Sequence, residues 1–318
     1  MTPPGFLFCR DPLLPGRPDG AFAGEAAAAR RAGAQVVTID HDALLAGDAG
    51  SAVSRVPRDS GPYWYRGWMI PSVRYVDLEQ ALVARGCRLL TGAAGYRKAH
   101  ELPGWYGVFA DLTPRSVWQP RHTGEIPADP APWSALARSL GPGPGIVKDF
   151  VKSRKHDWHE ACFVPELGDP ARLTAVVDRF LALQGEFLAG GVVLRAFEPF
   201  VPEGEARVWW VDGEPVLVTA HPDTPGRVPE PALGPVREAV RELGCRWVTT
   251  DMALREDGVW RVVEVGDGQV SGLPADDDGG NLFAALLAVR AGQQPQSASP
   301  AGAVSGSATR RSGPSRVS

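Results

Sequence analysis

Cys245-Arg246-Trp247-Val248-Thr249-Thr250-Asp251-Met252-Ala253-Leu254-Arg255-Glu256-Asp257-Gly258-Val259-Trp260-Arg261-Val262-Val263-Glu264-Val265-Gly266-Asp267 is the stretch whose reading decides the fold. Two β-rich runs, Arg246–Leu254 and Val259–Val265, flank an Asp-Gly pair, the strongest short hairpin signal. A two-residue turn at Asp257-Gly258 places Asp251 directly opposite Glu264, with Cα atoms about 4.5–5.5 Å apart. Alternation puts Trp247, Thr249, Trp260 and Val262 on the face of the two acids. Val248, Met252, Val259, Val263 and Val265 fall on the other face, so both sides are expected to be covered. Facing carboxylates destabilise a ladder unless a positive group sits between them. Either the face is wet and the acids are partnered by Lys or Arg, or a hard divalent cation lies there. The covered face favours the cation, with Asp267 as a third oxygen.

Composition sets the frame. The chain has 318 residues, 44% hydrophobic and 22% charged, which is ordinary for a globular protein with room for two domains. Its formal charge of −4, from 33 basic and 37 acidic residues, points away from nucleic acid and anionic membranes. No apolar run approaches the roughly 20 residues that span a bilayer. Met1-Thr2-Pro3-Pro4-Gly5 does not read as a secretory signal. Cys9, Cys87, Cys162 and Cys245 are scattered, as buried reduced thiols would be, and a cytoplasmic location is expected.

Outward from the hairpin, the first part alternates strand and helix signals. Strands are expected at Phe6–Cys9, Gln35–Ile39, Pro62–Ile70 and Cys87–Leu90, with helices at Gly20–Ala32 and Ser72–Arg85. That order predicts a parallel α/β sheet. The run Gly141-Pro142-Gly143-Pro144-Gly145 reads as a connector. Beyond it, Ile146–Lys148 is a short strand, Asp169-Pro170 starts a helix that Gly185 ends, and Val192–Phe197 is a strand. A second hairpin joins Glu205–Val211 to Pro215–Ala220 across Asp212-Gly213, and a helix over Gly234–Leu243 leads to the acidic hairpin. The sequence from Gln293 onward is polar and aperiodic, so a disordered tail is expected.

Several charged residues stand where strands should be apolar. Lys148 follows Ile146-Val147, and is either an edge-strand lysine or a phosphate ligand. Arg195 lies in Val192–Phe197. Glu205 and Arg207 share a strand face, either as an internal ion pair or as nucleotide contacts. Arg66, among Tyr63, Trp64, Tyr65 and Trp68, either stacks on a ring or binds an acidic substrate. No glycine-rich Rossmann or Walker sequence is present.

In order and spacing, these pieces from about Leu136 to Leu287 resemble the ATP-grasp superfamily. They comprise the strand lysine Lys148, a helix, the hinge Val192–Glu198, the charged strand ending at Asp212-Gly213, and Asp251 followed by Glu264. The family's Glu-x-Asn departs here to Glu264-Val265-Gly266, leaving Asp267 as the substitute ligand. With Arg195 in the hinge, the chain looks similar to the divergent clade marked by two arginines and a lysine, here Arg195, Arg207 and Lys148. Tyr65-Arg66-Gly67-Trp68-Met69 and Tyr96-Arg97-Lys98-Ala99-His100 also resemble that clade.

The resemblance implies an N-terminal parallel α/β domain (residues 1–134), an ATP-grasp domain with antiparallel sheets (135–290) and a tail (291–318). It implies ATP and Mg²⁺ as cofactors, and a carboxylate–amine ligase that works through an acylphosphate. Lys148, Arg195 and Arg207 would hold phosphates, with Lys148 and Arg207 acting in catalysis. Asp251, Glu264 and Asp267 would hold Mg²⁺, and Glu198 and Glu205 would lie near adenine or ribose. The partners would be a small carboxylate and an amine. A small-molecule phosphotransferase and a non-catalytic nucleotide-binding module are the alternatives. Neither the two substrates nor the oligomeric state is written in these residues.

Overall fold

This computed structural model describes residues 3–121, 132–221, 228–274 and 279–290, with residues 226 and 277. The expected tail from 291 lies outside them. In the N-terminal part, β1 (Gly5–Cys9) leads through α1 (Ala23–Arg31) to β2 (Val36–Ile39). Two short helices, α2 (His41–Leu45) and α3 (Ala49–Ala52), precede β3 (Tyr63–Arg66). The three strands form a parallel sheet in the order β2-β1-β3. α4 (Ser72–Val83) covers one face, where Tyr75, Leu78 and Leu82 meet Leu7, Tyr63 and Tyr65.

The expected strand at Cys87–Leu90 is only a bridge between Leu89 and Tyr63. The chain has little room to do more, because α4 and its exit at Gly86 end just before it and α5 (Ala93–His100) begins just after. α5 and α6 (Leu102–Phe109) occupy the region that carries no clear sequence signal; Tyr96 of α5 still packs in the N-terminal core, on Tyr75, while Ala99 and the apolar side chains of α6 pack elsewhere.

β4 (Ser116–Pro120), α7 (Pro132–Arg138), β5 (Gly145–Lys148) and β6 (Phe163–Val164) follow, then α8 (Pro170–Gln184) and β7 (Gly191–Ala196). Asp169 caps α8 by accepting from the amides of Ala171 and Arg172, as Asp-Pro at a helix start requires. These strands form an antiparallel sheet in the order β4-β7-β5-β6, with α8 packed beneath it. β4 lies before the expected boundary at 134 yet pairs with β7, so the sheet reaches across that boundary.

β8 (Phe200–Val211), β9 (Glu214–Ala220), α9 (Gly234–Leu243), β10 (Trp247–Arg255), β11 (Trp260–Asp267) and α10 (Gly280–Ala288) complete the fold. Their antiparallel sheet has the order β11-β10-β8-β9. One face packs on α5, α6 and α9 through Trp210, Val248, Met252, Val262 and Val265. The opposite face is divided. Trp209 and Trp247 pack against α10 and against Phe6, Phe8 and Trp64 of the N-terminal sheet, so the two parts share a core.

Arg66 lies in that shared region and is 1% exposed. It forms a two-pronged pair with Glu25 at 2.5 and 2.7 Å, and donates to the carbonyls of Gln269 (3.1 Å) and Ser271 (2.7 Å). Its guanidinium also lies over Phe22. Arg66 is therefore a tie within the fold, which corrects its reading as a substrate ligand. Breaking a buried pair leaves an uncompensated charge. Arg66→Met should cost about 3–5 kcal/mol in urea denaturation, whereas the joint replacement of Arg66 and Glu25 by apolar residues should cost less than Arg66→Met alone.

Candidate active-site cleft

The acidic hairpin closes differently from a two-residue turn, yet it arrives at the expected pair. Arg255 N donates to the Val259 carbonyl and Gly258 N to the Arg255 carbonyl, so the loop is the three residues 256–258, with Gly258 left-handed at φ +86°. Near the turn Met252 faces Val262, one residue out of the expected register. A β-bulge at Val263 restores it, and Asp251 faces Glu264. The bulge also exchanges faces. Val262 and Trp260 turn to the α5/α6 core, against expectation, while Val263 and Glu264 both face a cleft. Asp212-Gly213 does form the two-residue turn, with φ of +48° and +83°.

Asp251 meets a positive side chain in its own sheet. Arg207 stands opposite it on β8 and donates Nε and Nη2 to the two carboxylate oxygens at 2.7 and 2.8 Å. His221, at the end of β9, brings Nε2 within 3.3 Å of the same carboxylate. Burial alone would push the Asp251 carboxyl up, but Arg207 and His221 more than reverse this and hold it well below the usual carboxylate range. Burial pulls the Arg207 guanidinium down and Asp251 more than restores it, leaving it above its ordinary value. His221 is likewise raised, because its bond to Asp251 outweighs burial. Arg207 spends its remaining reach on the Gly272 carbonyl (3.1 Å) and lies behind Asp251, outside the cleft lining. Arg207 therefore holds Asp251 through both carboxylate oxygens.

The cleft lies between the sheet β4-β7-β5-β6 and the sheet β11-β10-β8-β9, and has a volume of about 280 Å³. Lys148 and Arg195 enter from the first sheet, Asp251 and Glu264 from the second. Lys148 Nζ is loosely held, 3.4 Å from the Val151 carbonyl and 3.8 Å from Glu264. Asp149 shapes the turn that presents that carbonyl, accepting from the amides of Val151 and Lys152. Arg195 donates Nε to Ser116 Oγ (2.9 Å) and Nη1 to the Val263 carbonyl (2.6 Å), while its buried Nη2 has no hydrogen-bond partner among the described residues. Burial lowers the pKa of Lys148, and takes that of Arg195 to about 10, with Glu264 opposing both shifts.

The other expected residues divide. Glu198 lines the cleft, but both its oxygens accept from Arg261, at 2.9 and 3.1 Å. Glu205 also lines it, 3.8 Å from His221. Asp267 does not join the metal pair. It faces Val248, on the side of the strand opposite Glu264, is fully buried, and accepts from Gln269 N (2.9 Å) and Gln269 Nε2 (3.0 Å). Single-residue alternation explains the miss, because Gly266, not Asp267, shares the side of Glu264. Sequence reasoning also passed over His221 and Arg261. The Asp212-Gly213 turn already carried a signal for His221, since its register brings the end of β9 beside Glu205.

The donors suit a cation shared with a nucleotide. Asp251 and Glu264 face each other at the cleft, and Glu264 keeps 43% side-chain exposure there. Among the described residues no group of three or more His, Cys, Asp or Glu could hold a metal ion alone. Mg²⁺ takes one or two carboxylates and fills its shell with phosphate and water oxygens, so a pair is sufficient.

Residues 139–286 match the family model for the ATP-grasp domain of the clade named for two arginines and a lysine, family 3. This stretch is an ATP-grasp domain. Solved structures agree on the fold of nearly the whole chain. The RimK domain protein ATP-grasp from Sphaerobacter thermophilus DSM 20745 is 14% identical with a TM-score of 0.58, covering 89% of this chain and 97% of that one. D-cycloserine synthetase DcsG is 17% identical, TM-score 0.58, covering 89% and 98%. ATP-grasp ligase PsnB, complexed with minimal precursor, Mg and ADP, is 15% identical, TM-score 0.52, covering 89% and 96%. No curated protein matches the sequence. No described helix is long and apolar enough to cross a membrane.

Asp267 yields a pH test. Burial pushes its carboxyl up to about 7, so the folded protein keeps a proton that the unfolded chain releases near pH ~3.9. Its contribution to stability therefore falls as pH rises from about 4 to about 7. Burial of His100, aided by Lys152 and Lys148, lowers that imidazole to about 4, which gives a slope of opposite sign over much of that range. A difference measurement separates them. Asp267→Asn should gain stability relative to wild type progressively between pH 4 and 7, reaching a few kcal/mol at pH 8 in urea titrations.

Proposed function

We propose that the protein is an ATP- and Mg²⁺-dependent ligase that joins a carboxylate to an amine through an acylphosphate. One observation carries the reading. Lys148 and Arg195 line the cleft across from the carboxylates of Asp251 and Glu264, Lys148 Nζ weakly paired and the buried Arg195 Nη2 without a hydrogen-bond partner among the described residues. An unpaired buried guanidinium nitrogen is costly without a ligand. A polyphosphate whose cation sits on the acids would satisfy it. The ligase fold of the solved neighbours supports the same reading, PsnB having been captured with Mg and ADP.

The residues then divide the work. Asp251 and Glu264 would hold Mg²⁺, which would supply positive charge against the triphosphate. Lys148 and Arg195 would bind and orient the triphosphate from the opposite wall. Arg207 and His221 keep Asp251 ionised and aimed, and so act as positioning residues. Lys155 and Trp158 line the cleft beside Lys148. In the first step a substrate carboxylate oxygen attacks the γ-phosphorus, and the bond to the bridging oxygen breaks toward ADP. In the second, the amine attacks the acyl carbon, the C–O bond to phosphate breaks, and the amine loses its proton to solvent. No protein nucleophile is needed.

ADP and phosphate should accumulate only when both an acid and an amine are supplied. Phosphate transfer to one substrate alone would replace the ligase reading with a kinase. In thermal-shift assays ATP with Mg²⁺ should stabilise the protein, and Asp251→Asn or Glu264→Gln should remove the Mg²⁺-dependent part of that gain. No shift of the wild type at millimolar ATP would leave a non-catalytic module. Lys148→Ala should weaken ATP binding by about 2 kcal/mol, roughly thirtyfold, while the protein still melts cooperatively.

A further inference from the structure

Beside the carboxylate pair, on the same face, stands a second cross-strand pair, Thr249 opposite Gly266. A Cβ built on Gly266 would lie 2.9 Å from Thr249 Oγ1 and 3.2 Å from Ser271 Oγ. The space a side chain would take at position 266 is thus filled by two hydroxyls, 2.7 Å apart, brought in from another strand and from the loop after β11. Their proton order follows from the third bond. Ser271 Oγ donates to the Asp267 carbonyl at 3.0 Å, so its single proton is used there. Thr249 must then donate to Ser271, which leaves Thr249 Oγ1 with lone pairs only. It is an acceptor, the polarity that a hydrated cation requires.

We propose that Thr249, set by Ser271, is the third oxygen arm of the cation site, accepting a hydrogen bond from a Mg²⁺-bound water. The inference rests on the proposed placement of Mg²⁺ at Asp251 and Glu264. Distance decides for water over direct ligation. Alternate residues on a strand stand about 7 Å apart, so the hydroxyl row is about that far from the carboxylate row. A direct Mg–O bond is about 2.1 Å, whereas a bound water extends the ion's reach to about 5 Å. Gly266 is required in this arrangement, because any side chain there would push both hydroxyls away. Ser271 is held for the task from a second side, its carbonyl accepting from Arg66 at 2.7 Å.

The test is the Mg²⁺ dependence of ATP binding, read by calorimetry or thermal shift as the Mg²⁺ concentration at half-effect. Thr249→Val, nearly isosteric, should raise that concentration about tenfold while leaving ATP binding without Mg²⁺ unchanged. Thr249→Ser should restore the wild-type value. Ser271→Ala, which frees the Thr249 proton to turn outward, should shift it in the same direction as Thr249→Val. It also serves as the deciding variant if Thr249→Val does not melt cooperatively. An unchanged Mg²⁺ half-effect in Thr249→Val and Ser271→Ala, with Glu264→Gln abolishing the Mg²⁺ response, would overturn the role of Thr249 alone. If Glu264→Gln keeps the wild-type response, the cation placement itself fails and this proposal with it.

Discussion

Arg195 Nη1 reaches 2.6 Å across the cleft to the carbonyl of Val263, the residue left over where β11 slips by one against β10. That bond joins the two antiparallel sheets at the place where a nucleotide would lie between them. It depends on the bulge, because Val263 has no partner in the β10 register. The same extra residue brings Glu264 opposite Asp251 and sends Val262 into the core behind. One inserted residue therefore sets the facing of the acids, the anchor for the hinge arginine and the packing under the sheet.

Charge around the cleft is layered. Behind the wall, Arg207 and His221 grip Asp251, and Arg261 grips Glu198. At the wall, Lys148 and Arg195 are held loosely or incompletely. Buried ion pairs contribute little net stability once desolvation is counted, so the inner layer is better explained by aim and ionisation than by folding energy. The outer layer keeps capacity for an anion. Strong pairing inside and weak pairing outside is how a rigid site remains available to a ligand.

The N-terminal part shares its apolar core with the second sheet. Phe6, Phe8 and Trp64 share a core with Trp209 and Trp247, which lie on the cleft face of the second sheet. The loop after β11 is held from both directions, with Arg66 on the Ser271 carbonyl and Arg207 on the Gly272 carbonyl. Arg207 in turn holds Asp251. Charge-assisted hydrogen bonds on two successive carbonyls of that loop thus tie Glu25 in α1, through the backbone, to Asp251.

Local signals carried the elements and the acidic pair. Period-two alternation, Asp-Gly turns and Asp169-Pro170 rest on short-range sterics and hydrogen bonds, which neighbouring residues determine by themselves. Arg195, Lys148 and Glu264 could be singled out because a charge inside an apolar strand needs a reason. The pairing of Asp251 with Glu264 was legible, although the turn and the bulge each departed from the simplest register by one residue in compensating directions. What only the tertiary structure decided was which partner each charge meets. Arg207 could face phosphate or carboxylate, and Arg66 substrate or backbone. Those choices depend on strand order, on the bulge and on the approach of the N-terminal sheet. Each brings together residues tens to hundreds of positions apart, and no local pattern encodes that distance.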